Sequence, residues 1–277
     1  MRELVLGGEG LIGAELVRAL GARGREVVSL DAKSGCDLRR ADIAAHVSAC
    51  DRVWFLAWDT GGAKYIEAED RQHEQYKHNC ELSLKVFDAL ARARKPFLFT
   101  SSQLTVVPNA YGATKLLAER WTAQLGGKVA RLWNTYGWEQ PDVKSHVVTD
   151  LVLSGLTKGR VECLTDGAER RRFVYKTDCV EAVMRLFDGP EARAEIAGPE
   201  WVTIGQVAEE VARQLNADVK FGDAKGTEHI IDPEQPLRGW EPRVALSEGV
   251  ARVIEDARGY LEASRAGSRT HVVGELS

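Results

Sequence analysis

Residues 4–16 read LVLGGEGLIGAEL, an apolar run that breaks at Gly7, Gly10 and Gly13 and then resumes with helical spacing. The run is the length of one strand. The glycines permit a tight turn and let a ligand approach the backbone closely. The helix that follows offers free N–H groups and the positive end of its dipole to an anion. A strand, a G-x-x-G-x-x-G turn and a helix in this order point to a parallel α/β unit that holds a dinucleotide pyrophosphate. Leu11 and Ile12 lie inside the same cradle. Further along, a second apolar strand at 27–30 ends on Asp31, 18 residues after Gly13. That spacing suits a carboxylate on an adenosine ribose, which accepts from a 2′-hydroxyl and repels a 2′-phosphate. Residues 32–34 are Ala-Lys-Ser, so no arginine awaits a 2′-phosphate, and NAD is favoured over NADP despite Lys33. Asp37 and Leu38 fall where the adenine would lie.

The alternation continues through the first half of the chain. Strands are expected at 53–56, 97–99 and 129–132, with helices at 11–20, 42–49, 67–94 and 111–125. Strands alternating with helices predict an α/β fold, a Rossmann doubly wound parallel sheet covered on both faces. After Asn134, glycine, proline and charge interrupt the pattern, and helices follow at 178–187, 204–215 and 247–261. This reads as a smaller C-terminal substrate-binding lobe. The expected division is 1–133 for the dinucleotide-binding domain, with a returning segment near 173–187. The lobe takes 134–172 and 188–264, and 265–277 form a polar tail.

Bulk properties narrow the function. A net charge of -4 and an isoelectric point near 5.9 give no electrostatic reason to bind nucleic acid or an anionic membrane. No apolar run approaches the ~18 residues of a membrane span, and the N-terminus lacks the layout of a signal peptide. Five cysteines without a CxxC or a histidine spacing suited to zinc predict reduced thiols, a cytoplasmic location and no metal. Asp70, His73 and His78 do not share one helix face, which argues against a metal there, and His146 reads as a surface residue.

The chemistry is carried by TSSQLTVVPNAYGATK, residues 100–115. Tyr111 and Lys115 are four apart and share a helix face. A free phenol titrates near pH ~10, and a nearby cation lowers that value. Lys115 is expected to act in this way, so that Tyr111 exchanges a proton with a sugar hydroxyl or carbonyl oxygen while a hydride moves at carbon. Ser102, ending the preceding strand, can hydrogen-bond the same oxygen.

These residues together resemble the extended short-chain dehydrogenase/reductases, in particular the nucleotide-sugar epimerase/dehydratase family. The resemblance rests on GGEGLIG (7–13), Asp31, DLR (37–39), FLAW (55–58), Asn79, TSS (100–102), YGATK (111–115), RLWNTYG (131–137), RRFVYKTD (171–178) and GWEP (239–242). Within that family, LAWDTGGAKYI (56–66) looks most like GDP-mannose 3,5-epimerase. The resemblance implies an enzyme that binds NAD and a nucleotide sugar and forms a homodimer through helices near 76–93 and 111–125. It implies cofactor contacts from Leu56, Ala57, Trp58, Asn79, Tyr111 and Lys115. It places Gly61, Gly62, Gln103, Asn134, Lys144, Arg171 and His229 at the substrate. Arg171 would grip the diphosphate, and His229 stands where relatives carry a second arginine.

Two departures shape the expected reaction. Leu104 stands where the 3,5-epimerase has a cysteine, and Gln103–Leu104 where 4,6-dehydratases have Asp-Glu. Leucine cannot move a proton to or from carbon. Redox chemistry at C4 of the sugar follows, with 4-epimerisation favoured. The alternatives are a 4-ketoreductase or dehydrogenase, a 3,5-epimerase with a changed acid/base set, and a non-catalytic dinucleotide sensor.

Overall fold

The computed structural model describes residues 1–273, with side-chain surroundings for 1–265. Twelve strands and nine α-helices are assigned among them. The strands are β1 Arg2–Leu6, β2 Glu26–Leu30, β3 Arg52–Phe55, β4 Phe97–Ser102, β5 Lys128–Leu132, β6 Asn134–Tyr136, β7 Arg160–Glu162, β8 Arg170–Arg171, β9 Phe173–Tyr175, β10 Arg193–Ile196, β11 Val202–Thr203 and β12 Asp218–Lys220. The helices are α1 Leu11–Ala22, α2 Ala44–Ala49, α3 Ala63–Ile66, α4 Gln72–Ala93, α5 Ala110–Gln124, α6 Val147–Lys158, α7 Lys176–Asp188, α8 Ile204–Leu215 and α9 Leu246–Val273.

Six strands form one parallel sheet in the order β10-β5-β4-β3-β1-β2. The period-two alternation of side chains explains its two cores. Leu4, Leu6, Val53, Phe55, Phe97 and Phe99 face α4 and α5, packing on Val86, Phe87 and Ala118. Val5, Trp54, Leu98 and Ala130 face the opposite way, onto Leu16 and Leu20 of α1 and Val183 and Leu186 of α7. A third core lies in the lobe, where Leu151 and Val152 of α6, Val207 and Val211 of α8, and Val253 and Ile254 of α9 meet. The doubly wound α/β architecture expected from the sequence is present.

The chain leaves β1 in one direction to reach β2, and then crosses back to β3 on the other side of β1. The strand order therefore reverses between β1 and β3, and a crevice opens at their C-terminal ends. The turn after Leu6, the 56–58 segment, and Ser102 at the end of β4 all converge there.

Four local readings differ from the structure. The sheet takes its sixth strand, β10, from a segment that the sequence division places in the lobe. Arg193 and Glu195 mask its apolar pattern, but Glu195 is buried and pairs with Arg131. Helix α6 goes unnoticed because it opens on the β-branched run Val147-Val148-Thr149, and its cap His146 makes no side-chain cap bond. The expected 67–94 helix begins at Gln72, after two separate turns at Ala63–Ile66 and Glu69–Arg71. Of the tail expected from 265, the backbone through Val273 is helical, and residues 274–277 lie outside the described residues.

Candidate active site

A cleft of about 1450 Å³ runs from the glycine turn, past Tyr111, to His229 in the lobe. Its first end fits a dinucleotide. Gly7 has φ +91, and a Cβ there would lie 2.5 Å from the Ala57 nitrogen, so only glycine allows this approach of two strand ends. Gly10 caps α1 without a side-chain bond, and the first turn carries no acidic residue, so the N–H groups remain open to an anion. Leu11, Ile12 and Gly13 line the cleft beside it.

Asp31 accepts the Glu9 N–H through one oxygen and the Lys33 N–H through the other, both at 2.9 Å. The carboxylate is thereby fixed against the glycine turn, with lone pairs left for a ribose diol. Lys33 Nζ reaches the Glu9 carbonyl at 3.4 Å. Asp37 is bound by the Arg39 guanidinium, whose hydrogen bond pulls its pKa down to about 2. Leu38, Leu56, Ala57 and Trp58 line the same end.

Asn79 is a correction. It is fully buried and does not reach the cleft. Its amide accepts from the Asp59 backbone N–H at 2.8 Å and donates to the Asp59 carbonyl at 3.3 Å. Asn79 therefore holds the loop after β3, with its amide turned to the Asp59 backbone.

The centre of the cleft holds Ser102, Tyr111 and Lys115. Ser102 and Thr60 stand beside the Tyr111 phenol, and their side chains favour its ionised form. Ser102 Oγ also accepts the Leu104 N–H at 3.1 Å, which orients it. Lys115 Nζ donates to the Thr100 carbonyl at 2.7 Å. It sits 4.4 Å from the Trp58 ring centroid and 5.9 Å from that of Tyr111. Burial raises the phenol's pKa above its ordinary value. The lowering expected from Lys115 is therefore not what the protein produces by itself. The reason is symmetrical: burial also pushes the lysine down, to about 7.

This has a measurable consequence for the cofactor-free protein. Between pH 7 and about 10 the folded chain has shed the Lys115 proton, whereas the unfolded chain still holds it. Stability contributed at this site therefore rises with pH across that window, and below pH 7 the full desolvation cost remains. Thermal denaturation at a series of pH values should show that rise, and Lys115→Met should flatten it. Identical slopes in the two proteins would show that Lys115 keeps an ordinary pKa.

The loop after Trp58 adds groups that sequence reasoning missed. Asp59 is buried and accepts from Lys144 Nζ at 2.6 Å and from the Tyr65 hydroxyl at 3.0 Å. Thr60 reaches Tyr111. Both lie in LAWDTGGAKYI, which drew notice for its glycines. Gly61 and Gly62 are buried against the Lys144–His146 backbone, where a Cβ on Gly61 would lie 2.9 Å from Lys144 Cβ. Gly62 N–H donates to the Lys144 carbonyl at 2.8 Å. These glycines seat one side of the cleft against the other.

At the far end, the Asn134 Oδ1 and Trp133 Nε1 atoms are buried without partners, and both residues line the cleft. Unpaired buried polar atoms are costly and mark places for a ligand. Arg171 donates to the Arg170 and Thr227 carbonyls at 2.8 and 2.7 Å and, among the described residues, forms no salt bridge with a carboxylate. Burial lowers its pKa, which favours an incoming anion. Gln103 and His229 line the same cleft. The structure thus brings together every site residue predicted from the sequence except Asn79.

Residues 3–205 match the NAD dependent epimerase/dehydratase family. The chain belongs to that family. Its members are enzymes of the short-chain dehydrogenase/reductase superfamily, and NAD is the cofactor. UDP-glucuronic acid decarboxylase 4 of Arabidopsis thaliana is 25% identical over 307 residues, spanning 93% of this chain and 69% of that protein. UDP-glucose 4-epimerase of Mycolicibacterium smegmatis is 26% identical over 315 residues, spanning 92% and 98%. Among solved structures, MoeE5 in complex with UDP-glucuronic acid and NAD superposes with a TM-score of 0.81 at 24% identity, covering 94% of this chain and all of that one. Beside the family itself, the narrower likeness to GDP-mannose 3,5-epimerase is minor.

Proposed function

We propose that this member of the family oxidises and reduces C4 of a nucleoside-diphosphate sugar, with 4-epimerisation as the net reaction. The observation that carries the reading is the Tyr111 hydroxyl, bracketed by Ser102 and Thr60 at the crevice where the strand order reverses. Bound NAD would supply the hydride acceptor and donor for the carbinol carbon. Tyr111 accepts the hydroxyl proton and later returns it. Ser102 orients the sugar oxygen, and Lys115 in its protonated form favours the phenolate. Gly7, Gly10, Gly13 and Asp31 hold the dinucleotide. Asn134, Arg171 and His229 take the diphosphate end, because a sheltered diphosphate needs a guanidinium fork.

Leu104 offers no acid or base for carbon at its own position, where it packs into an apolar cluster with Tyr65, Ile66 and Tyr111. The named relatives act on UDP-sugars, which makes UDP-glucose and UDP-galactose the first substrates to try. UDP-glucuronic acid belongs beside them, because decarboxylation of that acid begins with the same oxidation and a relative carries that name. Appearance of the C4 epimer, read by anion-exchange chromatography, is the expected result. Turnover of none of the three with added NAD would refute the UDP-sugar reading.

The same proposal includes a homodimer and a cytoplasmic location. Tyr76 and Leu84 on α4 and Leu116 and Leu117 on α5 are exposed apolar side chains, a composition suited to pairing with a second copy. Light scattering should give twice the 30.5 kDa chain mass, and a Leu84→Lys, Leu117→Lys variant should give one. A wild-type mass of one chain would remove the dimer from the account. No described helix is long and apolar enough to cross a membrane, and all five cysteines are free.

A further inference from the structure

Chemistry at C4 engages Tyr111, Lys115 and Ser102 and leaves a carboxylate–imidazole pair unused. Glu139 and His146 both line the cleft. Glu139 Oε1 lies 2.9 Å from His146 Nδ1, and Oε2 lies 3.1 Å from it. Oε1 also accepts the His146 backbone N–H at 2.5 Å. The carboxylate therefore fixes both the ring and its tautomer: Nδ1 carries the proton toward Glu139, and Nε2 is left as the basic nitrogen. The side chains are 37% exposed for His146 and 17% for Glu139, so the pair is sheltered yet open to a ligand in the cleft.

One loop borders both Tyr111 and the pair. Thr60 stands beside the Tyr111 phenol, and Gly62, two residues on, packs against the Ser145–His146 backbone. A Cβ on Gly62 would lie 3.5 Å from the His146 Cα. The same loop thus borders both Tyr111 and His146 in the cleft that would hold the sugar.

Oxidation of C4 makes the adjacent C–H bonds acidic, because the resulting carbanion is delocalised onto the carbonyl oxygen. A positioned base is then the one missing requirement for chemistry at that carbon. We propose that His146, held by Glu139, removes and returns a proton at the carbon next to the oxidised C4. The Nε2 lone pair takes the proton, the C–H electron pair becomes a C=C bond to C4, and the C=O π pair moves onto O4. The reverse step restores the ketone. Nothing is oxidised or reduced in this exchange, and no further reactant is consumed. Glu139 balances the imidazolium, and the Tyr111 hydroxyl donates to the enolate oxygen. Gln103 and Leu104 offer no carbon base, and the Glu139–His146 pair supplies one elsewhere in the same cleft.

The proposal rests on the C4 reading for the origin of the ketone, but its test starts from a ketone already made. The full-length protein is mixed in D₂O with UDP-4-keto-6-deoxyglucose, and deuterium entry at C3 and C5 is followed by proton NMR. Wild type should exceed the buffer rate at least ~100-fold. His146→Asn should remove most of that acceleration, and Glu139→Gln should reduce it about tenfold. Melting curves and UDP binding establish that each variant is folded and competent. If one variant fails to fold, the other decides. A wild-type rate equal to buffer would overturn the proposal, as would wild-type exchange in a folded variant. NADH absorbance on mixing with a 4-hydroxy sugar tests the C4 reading separately, so the two can fail independently.

Discussion

Tyr111→Phe is expected to lower kcat about 10²–10⁴-fold while leaving NAD binding near the wild-type level. The substitution removes one oxygen, the atom that exchanges a proton with the sugar. The ring keeps its place among Tyr65, Ile66, Trp58 and Leu104. The loss separates two roles that burial alone would confuse. If Tyr111 were only a packing residue, phenylalanine would serve equally well. Melting curves establish that the variant is folded, so that its kcat reads the chemistry. Wild-type turnover in Tyr111→Phe would exclude proton transfer by this residue.

Gly13→Ala should abolish NAD binding and lower stability by about 1–3 kcal/mol or more. A Cβ at Gly13 would overlap the Gly7 carbonyl and lie 2.9 Å from the Gly8 Cα. Both are backbone atoms of the turn, so no side-chain rotation relieves the overlap. Either α1 moves away from β1 or the turn opens, and each displaces the N–H groups that would face the pyrophosphate. Gly21, near the other end of α1, is the control. Nothing lies within 4 Å of a Cβ there, and Gly21→Ala should stabilise the helix by roughly 0.5–1 kcal/mol. Opposite shifts in melting temperature from the same substitution in one helix would locate the constraint in the turn. Equal shifts would show that the turn tolerates a side chain.

The parts of this fold that could be read from the sequence are those where local pattern and burial agree. Leu4–Leu6, Val53–Phe55 and Phe97–Phe99 are apolar runs bounded by turns, and all become central strands. Edge strand β10 could not be read in this way, because Glu195 is buried by pairing with Arg131 across 64 residues. The site shows the same division. Gly7 with Asp31, and Ser102 with Tyr111 and Lys115, announce themselves by spacing within two local stretches of strand, turn and helix. Asp59 with Lys144 and Glu139 with His146 depend on contacts between segments that only the folded chain brings together. Asn79 misled for a related reason: its position on α4 is as expected, but the Asp59 backbone takes up its amide. The direction of the Tyr111 shift also required the fold, since spacing shows that Lys115 is near but not that both groups are dry.

The central claim is reversible hydride removal at C4, and isotopic labelling tests it most directly. UDP-glucose carrying deuterium at C4 is incubated with the protein and NAD, and the product is examined by NMR and mass spectrometry. The account predicts slower turnover than with unlabelled sugar and a C4 epimer that keeps the deuterium at C4. An epimer that has lost the deuterium to solvent, or turnover with the C4 hydrogen never displaced, would contradict it.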